Sequence, residues 1–267
     1  MLGNLRLIVV LILAGLWVLL LLPFQLIGVF FFLPLAKWVP VIFHRGLCKI
    51  FGVRVHLDGQ LVKTKPLMIV ANHLSWLDIV LLSTLAPVSF VAKADMASWP
   101  LFGQLAWLQR TIFVKREERR RSGEQANEIA ERLSARDTIV LFPEGTTSDG
   151  HTMVAFKTPL FEAARFALVA SGEERAFIQP IAIDYTHIHG IAIGRQWMQQ
   201  VAWPGDVSLG EHFLPLIKKG ALDVTLHCGQ PIIFTAESNR KEIAAQARRS
   251  LHALLGKAPL DSATGSG

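Results

Sequence analysis

From Leu7 to Leu35 the chain carries no charged residue, and Gln25 is the sole side chain in that run with a strong hydrogen-bonding group. One spanning helix needs about 20 apolar residues. The segment is therefore long enough to cross a bilayer once with tilt, over Leu7–Phe32, or to be bent by Pro23 and Pro34 into a re-entrant hairpin. A cleaved signal fits less well, because its apolar stretch is about 7–15 residues and ends at a small-residue site, and no A-x-A precedes the polar sequence here. Lys37, Arg45, Lys49 and Arg54 follow the run before any acid, whereas Arg6 stands alone in front. The positive-inside bias places the following chain on the cytoplasmic side. Those cations, interleaved with Trp38, Phe43 and Phe51, suit a helix lying on an anionic leaflet or an amphipathic helix packed on the domain.

Residues 1–36 are thus read as a membrane anchor, 37–256 as one domain, and 257–267, rich in Gly, Ser and Ala, as a disordered tail. The middle part, a little over 200 residues, can build a single sizeable core. With 51% hydrophobic and 18% charged residues, the composition excludes intrinsic disorder and collagen. The charge balance is 27 − 21 = +6. No RNA- or DNA-binding motif accompanies it, so nucleic acid is not an expected partner. Cys48 and Cys228 stand far apart and support neither a disulfide framework nor a cysteine metal site. Short β-branched runs (Arg54–Leu57, Leu67–Val70, Val88–Val91, Thr111–Val114, Thr138–Phe142, Ile178–Ile183, Val224–Cys228) alternate with helical stretches (from Trp76, Leu101–Leu108, Glu118–Leu133, Pro159–Val169, Asn239–Leu255). That alternation predicts an α/β domain with a mostly parallel sheet and helices on both faces.

The sequence has no G-x-S-x-G elbow, no G-x-x-x-x-G-K-[ST], no G-x-G-x-x-G and no H-E-x-x-H, which removes support for serine hydrolase, P-loop, dinucleotide and zincin chemistry. What it has instead are motifs at strand ends, where α/β sites form. Asn72-His73-Leu74-Ser75-Trp76-Leu77-Asp78 follows a buried-type strand. The aspartate, five positions after the histidine across a first helical turn, can accept from one imidazole nitrogen and leave the other as a base. Phe142-Pro143-Glu144-Gly145-Thr146-Thr147-Ser148 follows another strand, with Gly145 permitting close backbone approach. Thr111-Ile112-Phe113-Val114-Lys115-Arg116 is a short strand ending in two cations. Ile178-Gln179-Pro180-Ile181-Ala182-Ile183 is a strand whose proline predicts an edge or a bulge.

These four stretches, in this order, resemble the motifs of the lysophosphatidic acid acyltransferase family, glycerolipid acyltransferases marked by a His-x4-Asp box. The resemblance covers about residues 63–183. It implies that His73 is the catalytic base and Asp78 its partner. It also implies substrate-binding roles for Asn72, Arg116, Glu144, Gly145, Thr146, Lys157 and Pro180. The implied reaction is acyl transfer from a thioester, carried by acyl carrier protein or coenzyme A, to a lysolipid hydroxyl, with no metal or cofactor. Backbone N–H groups near the His box or the Gly145 turn are the expected oxyanion donors. The implied location is a bacterial inner membrane, with the catalytic domain on the cytoplasmic side.

Two departures narrow the acceptor. Arg110 precedes Thr111 where members commonly carry glycine, and Phe156-Lys157-Thr158-Pro159 replaces the usual Phe-Lys-Lys-Gly, so one basic group is missing beside the third motif. With Thr147-Ser148-Asp149-Gly150, Tyr185-Thr186-His187-Ile188-His189-Gly190 and Trp203-Pro204-Gly205-Asp206, this looks more like the branch that acylates lyso-ornithine lipid. Lysophosphatidic acid is the alternative acceptor, and a non-catalytic lipid-binding protein or a thioesterase the alternative classes. His187 and His189 would share a strand face, but a metal site needs a third ligand. The cationic run Lys115–Arg121 suits an anionic lipid or an acidic carrier protein, or a solvated helix start.

Overall fold

The computed structural model describes residues 2–114, 122–150, 152–204 and 208–256. The apolar run forms α1 (Leu2–Phe30), and α2 (Leu35–Phe51) doubles back along it. The chain turns at residues 31–34, while Pro23 lies inside α1. A proline inside a helix removes one N–H, and an apolar helix tolerates this where neighbours satisfy the freed group. Pro40, inside α2, leaves the Ala36 carbonyl without its usual donor. Gln25 Nε2 donates there at 3.1 Å, and to the Leu108 carbonyl at 2.6 Å. The one strongly polar side chain of the run is therefore a stitch between α1, α2 and the domain.

Two further stitches hold α1. Arg6 donates to the Phe51 carbonyl at 2.8 Å and to that of Ile217 at 3.2 Å, and Trp17 Nε1 donates to Phe43 at 3.0 Å. A Cβ at Gly28 would stand 2.6 Å from the Ala36 nitrogen, so only glycine allows this approach. On its outer side α1 keeps leucine, isoleucine and phenylalanine exposed. Its 28 residues Gly3–Phe30 are apolar and long enough to cross a membrane.

The domain is one nine-stranded sheet in the order β1-β8-β6-β2-β5-β3-β4, with β7 and β9 also paired to β6. The strands are β1 (Val53–Asp58), β2 (Leu67–Ala71), β3 (Val88–Lys93), β4 (Ile112–Val114), β5 (Thr138–Leu141), β6 (Ala176–Ile188), β7 (Ile191–Ala192), β8 (Leu222–Cys228) and β9 (Ile232–Phe234). The run β6-β2-β5-β3-β4 is parallel, and β7, β8 and β9 are antiparallel to β6. The helices are α3 (Leu77–Ser83), α4 (Phe102–Leu108), α5 (Ser122–Ser134), α6 (Glu162–Ser171), α7 (Arg195–Met198), α8 (Leu209–Lys219) and α9 (Arg240–Leu254). Successive side chains of a strand face opposite sides. In β2, Leu67, Ile69 and Ala71 join the core under α2, α3 and α8, while Met68 and Val70 join the core under α5, α6 and α9. Burial on both faces is why this strand is apolar throughout and why the sheet reads as mostly parallel.

Two strand expectations change. Pro180 sits in β6, a central strand, with β2 on one side. On the other side the partner changes there: β9 pairs as far as Ile178 and β8 begins at Ile181. The Gly229 N–H reaches the Pro180 carbonyl at 2.8 Å, so the missing proline donor falls in the gap between two partners and costs no ladder bond. The face expected to join His187 and His189 is also lost. The register shifts between Tyr185 and His187, and His189 lies beyond the strand at φ 52°. Among the described residues, no group of three or more His, Cys, Asp or Glu side chains is placed to hold a metal.

Candidate active site

The carboxyl ends of β2 and β5 lie side by side, which brings together two motifs separated by some seventy positions. Past β2, Asn72 closes the frame. Its Nδ2 donates to the Ile183 carbonyl at 3.1 Å and its Oδ1 accepts from the Ile183 N–H at 2.8 Å. Asn72 thus adds a side-chain rung to the β2–β6 ladder, and it is buried.

His73 comes next, partly exposed, with Nδ1 2.8 Å from Asp78 Oδ2. Asp78, in the first turn of α3, is fully buried. The same oxygen accepts the N–H groups of Leu74 at 2.7 Å and Ser75 at 2.8 Å. Oδ1 accepts the Tyr185 hydroxyl at 2.7 Å. Four donors converge on this buried carboxylate. Its oxygens accept from each of them, so Nδ1 is the imidazole nitrogen that carries the proton. Nε2 is left with a lone pair and no partner among the described residues. Its ring stacks on Phe142, centroids 4.0 Å apart at 13°, and Phe142 stacks in turn on Phe90 at 6.0 Å.

Glu144, from the loop after β5, clamps the two motifs. Its Oε1 accepts the His73 N–H at 2.9 Å and its Oε2 the Val154 N–H at 2.8 Å. Burial pushes its carboxyl up to about 7, the Asp78 charge adds, and the two accepted N–H bonds oppose. The Ser148 N–H donates to the His73 carbonyl at 2.8 Å and the Trp203 N–H to that of Leu74 at 2.7 Å, so the His box is held from three directions. Gly145 stands at φ 76°, and a Cβ there would be 2.7 Å from Lys157 Nζ. Lys157 thus lies against the turn through the space glycine leaves open, its own N–H on the Pro143 carbonyl at 2.8 Å. Thr146 follows, exposed.

Of the residues marked in the sequence, His73, Asp78, Glu144, Gly145, Thr146 and Lys157 gather at this end of the sheet. Asn72 and Pro180 belong to its frame. Arg116 and the run Lys115–Arg121 lie outside the described residues, as do Gly205, Asp206 and the tail 257–267. The backbone groups expected to stabilise an oxyanion are otherwise engaged: His73, Leu74, Ser75 and Gly145 all donate within the loops, Gly145 to Phe142 at 3.1 Å. Tyr185, marked in the sequence only as part of the 185–190 stretch, is the residue whose place in the site sequence reasoning missed. It lies 107 positions from Asp78, and only the β2–β6 pairing brings it close.

The profile of the acyltransferase family matches residues 52–184, a span that holds the His73–Asp78 pair, the Glu144 loop and Lys157 and ends one position before Tyr185. The chain is 44% identical over 264 residues to the lyso-ornithine lipid O-acyltransferase of Brucella abortus, covering 97% of each chain. It is 44% identical over 226 residues to the enzyme of that name from Rhizobium meliloti, covering 85% of this chain and 77% of the relative. Its fold matches the crystal structure of the 1-acyl-sn-glycerophosphate (LPA) acyltransferase from Thermotoga maritima with a TM-score of 0.64 at 19% identity, over 99% of this chain and 98% of that one. The chain is an enzyme of the acyltransferase family, similar over most of its length to lyso-ornithine lipid O-acyltransferases.

Proposed function

We propose that the chain transfers a fatty acyl group from an acyl thioester to the hydroxyl of lyso-ornithine lipid, giving ornithine lipid, with His73 as the general base. The observation that carries the mechanism is the His73–Asp78 pair, whose Nε2 alone is open. The hydroxyl loses its proton to Nε2 as its oxygen bonds to the thioester carbonyl carbon. The tetrahedral intermediate then collapses with cleavage of the carbon–sulfur bond, and the departing thiolate takes the proton back from the imidazolium. Asp78 fixes the tautomer and stabilises that imidazolium. No acyl-enzyme is needed. The N–H groups of Thr146 and Thr147, with no acceptor among the described residues, are the donors we assign to the oxyanion.

The acceptor rests on the full-length likeness to lyso-ornithine lipid O-acyltransferases and on the single lysine after the third motif, which suits an acceptor without a phosphate. Arg116 and Lys157 would meet the head group or the donor's own phosphate. We assign acyl carrier protein as donor, with coenzyme A as the other carrier. Residues 1–36 serve as anchor in the bacterial inner membrane, 37–256 as catalytic domain on its cytoplasmic side, and 257–267 as a tail.

Membranes containing the protein, given labelled acyl carrier protein thioester with lyso-ornithine lipid or lysophosphatidic acid in separate reactions, test the reading. Product from lyso-ornithine lipid that falls by about 10²–10⁴-fold in His73→Ala is expected, the range that general-base assistance supplies. Product mainly from lysophosphatidic acid would overturn the acceptor. Free fatty acid without diacyl product would make the protein a thioesterase, and turnover unchanged in His73→Ala would remove the base.

A further inference from the structure

The end of the sheet opposite His73 holds a second concentration of charge. There β2, β3, β4 and β5 begin, α4 and α5 run out, and α2 starts close to the α1–α2 turn. At its centre lies Asp137, buried. Lys37 Nζ reaches its Oδ1 at 2.6 Å, and Arg132 Nε and Arg110 Nη2 reach its Oδ2 at 2.7 and 3.1 Å. Lys65, half-buried, donates to the Thr138 hydroxyl. Four cations face one carboxylate, a formal balance of 4 − 1 = +3. The carboxyl ends of α4 and α5 add some negative character, but helix dipoles act only over the last turn.

The cations are not equally engaged. Arg132 spends its remaining nitrogens on the Arg110 carbonyl at 3.2 Å and the Ser89 hydroxyl at 2.8 Å. Arg110 makes one bond, and its Nε and Nη1 have no acceptor among the described residues. Lys37 is 42% exposed and keeps two free donors. Arg110 also occupies the left-handed position that closes α4, at φ 62°, with the Thr111 N–H on the Ala106 carbonyl. Glycine fills that position at least cost, so an arginine is held where the backbone disfavours it. Burial pushes Lys65 down to about 8, with Asp137 opposing and Lys37 and Arg136 adding. Lys37, Ser89, Arg110, Asp137 and Thr138, with Pro40, line a small, half-open cleft at the surface.

We propose that this cleft binds a phosphate-bearing anion, held as the head group of an anionic membrane lipid. Phosphate offers the acceptors that Arg110 and Lys37 lack, and guanidinium matches it in pairs. The lipid source follows from the neighbouring turn: Phe30, Phe31 and Phe32 are 69, 70 and 93% exposed. Lys37 follows them in the first turn of α2, just past the 31–34 turn, so with those rings among acyl chains it stands at head-group depth. The site is separate from the acyl-transfer centre and would fix how the domain sits on the membrane.

The test uses the full-length protein in neutral detergent, read by native mass spectrometry against short-chain phosphatidylglycerol, short-chain phosphatidylcholine or inorganic phosphate. One phosphatidylglycerol should be retained in preference to phosphatidylcholine. Arg110→Gly, which suits φ 62° and so keeps the fold, should weaken retention about tenfold, or about 1.4 kcal/mol. Lys37→Gln should weaken it as well. Arg136→Gln removes the same charge at an exposed neighbour paired to Glu173 and should leave retention unchanged. Inorganic phosphate bound without lipid preference would overturn the lipid assignment. Equal loss in Arg136→Gln, or none in Arg110→Gly, would overturn the site.

Discussion

Tyr185→Phe removes the hydroxyl that donates to Asp78 and also meets the Ser75 side chain. The ring is 2% exposed and stays in place, while Asp78 Oδ1 loses its one donor among the described residues, in a fully buried carboxylate. A hydrogen bond to a charged group contributes about 1.5–3 kcal/mol, and Oδ2 keeps its three donors, so the carboxylate is loosened rather than expelled. If the whole of that energy holds Asp78 in the orientation that serves His73, kcat falls about 10- to 100-fold. KM is unchanged, because Tyr185 is too deep to touch a substrate. The assay is acyl transfer in the same membranes, beside a denaturation curve. Tyr185 is also the chain's only tyrosine, so its phenol can be followed alone by ultraviolet difference spectroscopy. Burial, and then the Asp78 charge, raise its pKa well above 10, and phenolate should appear only as the protein unfolds. A variant with unchanged kcat would refute the reasoning even if its stability fell, since packing alone could account for that loss.

Two other perturbations probe the loop after β5. Burial raises Glu144 from 4.5 to about 7, so the folded chain holds that proton more tightly than the unfolded chain. Stability from this group is full below about pH 4.5 and is lost as pH rises to about 7, by about 3 kcal/mol in all. The difference in urea stability between the protein and Glu144→Gln should change with that sign across the window, and a pH-independent difference would show that the carboxyl titrates normally. Gly145→Ala places a Cβ against Lys157 Nζ at φ 76°, which should cost about 1 kcal/mol of stability and displace the ammonium. A raised KM for the acceptor with kcat preserved is expected. An unchanged KM would separate Lys157 from acceptor binding.

The parts of the fold that sequence made legible are those whose signal is local. The all-apolar β2 betrays a strand covered on both faces, and the uncharged run betrays α1. The return of the chain in α2 was harder to read. Two prolines in and beside the run both looked able to bend it, and what decides the turn is a set of stitches from Arg6, Trp17 and Gln25 to carbonyls as far as 211 positions away. α8 and β9 escaped for a related reason. The amphipathic pattern of α8 is interrupted by Pro215, and β9 has three residues whose sole partner is the amino-terminal end of β6.

The same division runs through the site. His73 and Asp78 are five positions apart, so one helical turn suffices to join them, and the spacing exposes the pair once the Glu144 motif stands beside it. Every feature that turns the pair into an oriented base is long-range: Glu144 on the His73 N–H, Phe142 under the ring, and Tyr185 on Asp78. The first two announce themselves because they sit in a motif at the end of the neighbouring strand. Tyr185 carries no local mark, since a tyrosine in a β-branched run is ordinary strand composition. Its function exists only because the Ala71–Ile181 register, extended by Asn72 to Ile183, sets its hydroxyl beside the carboxylate. The frame residue Asn72 therefore acts on the chemistry through geometry: slipping that register by one would turn Tyr185 to the opposite face and leave Asp78 Oδ1 without a donor.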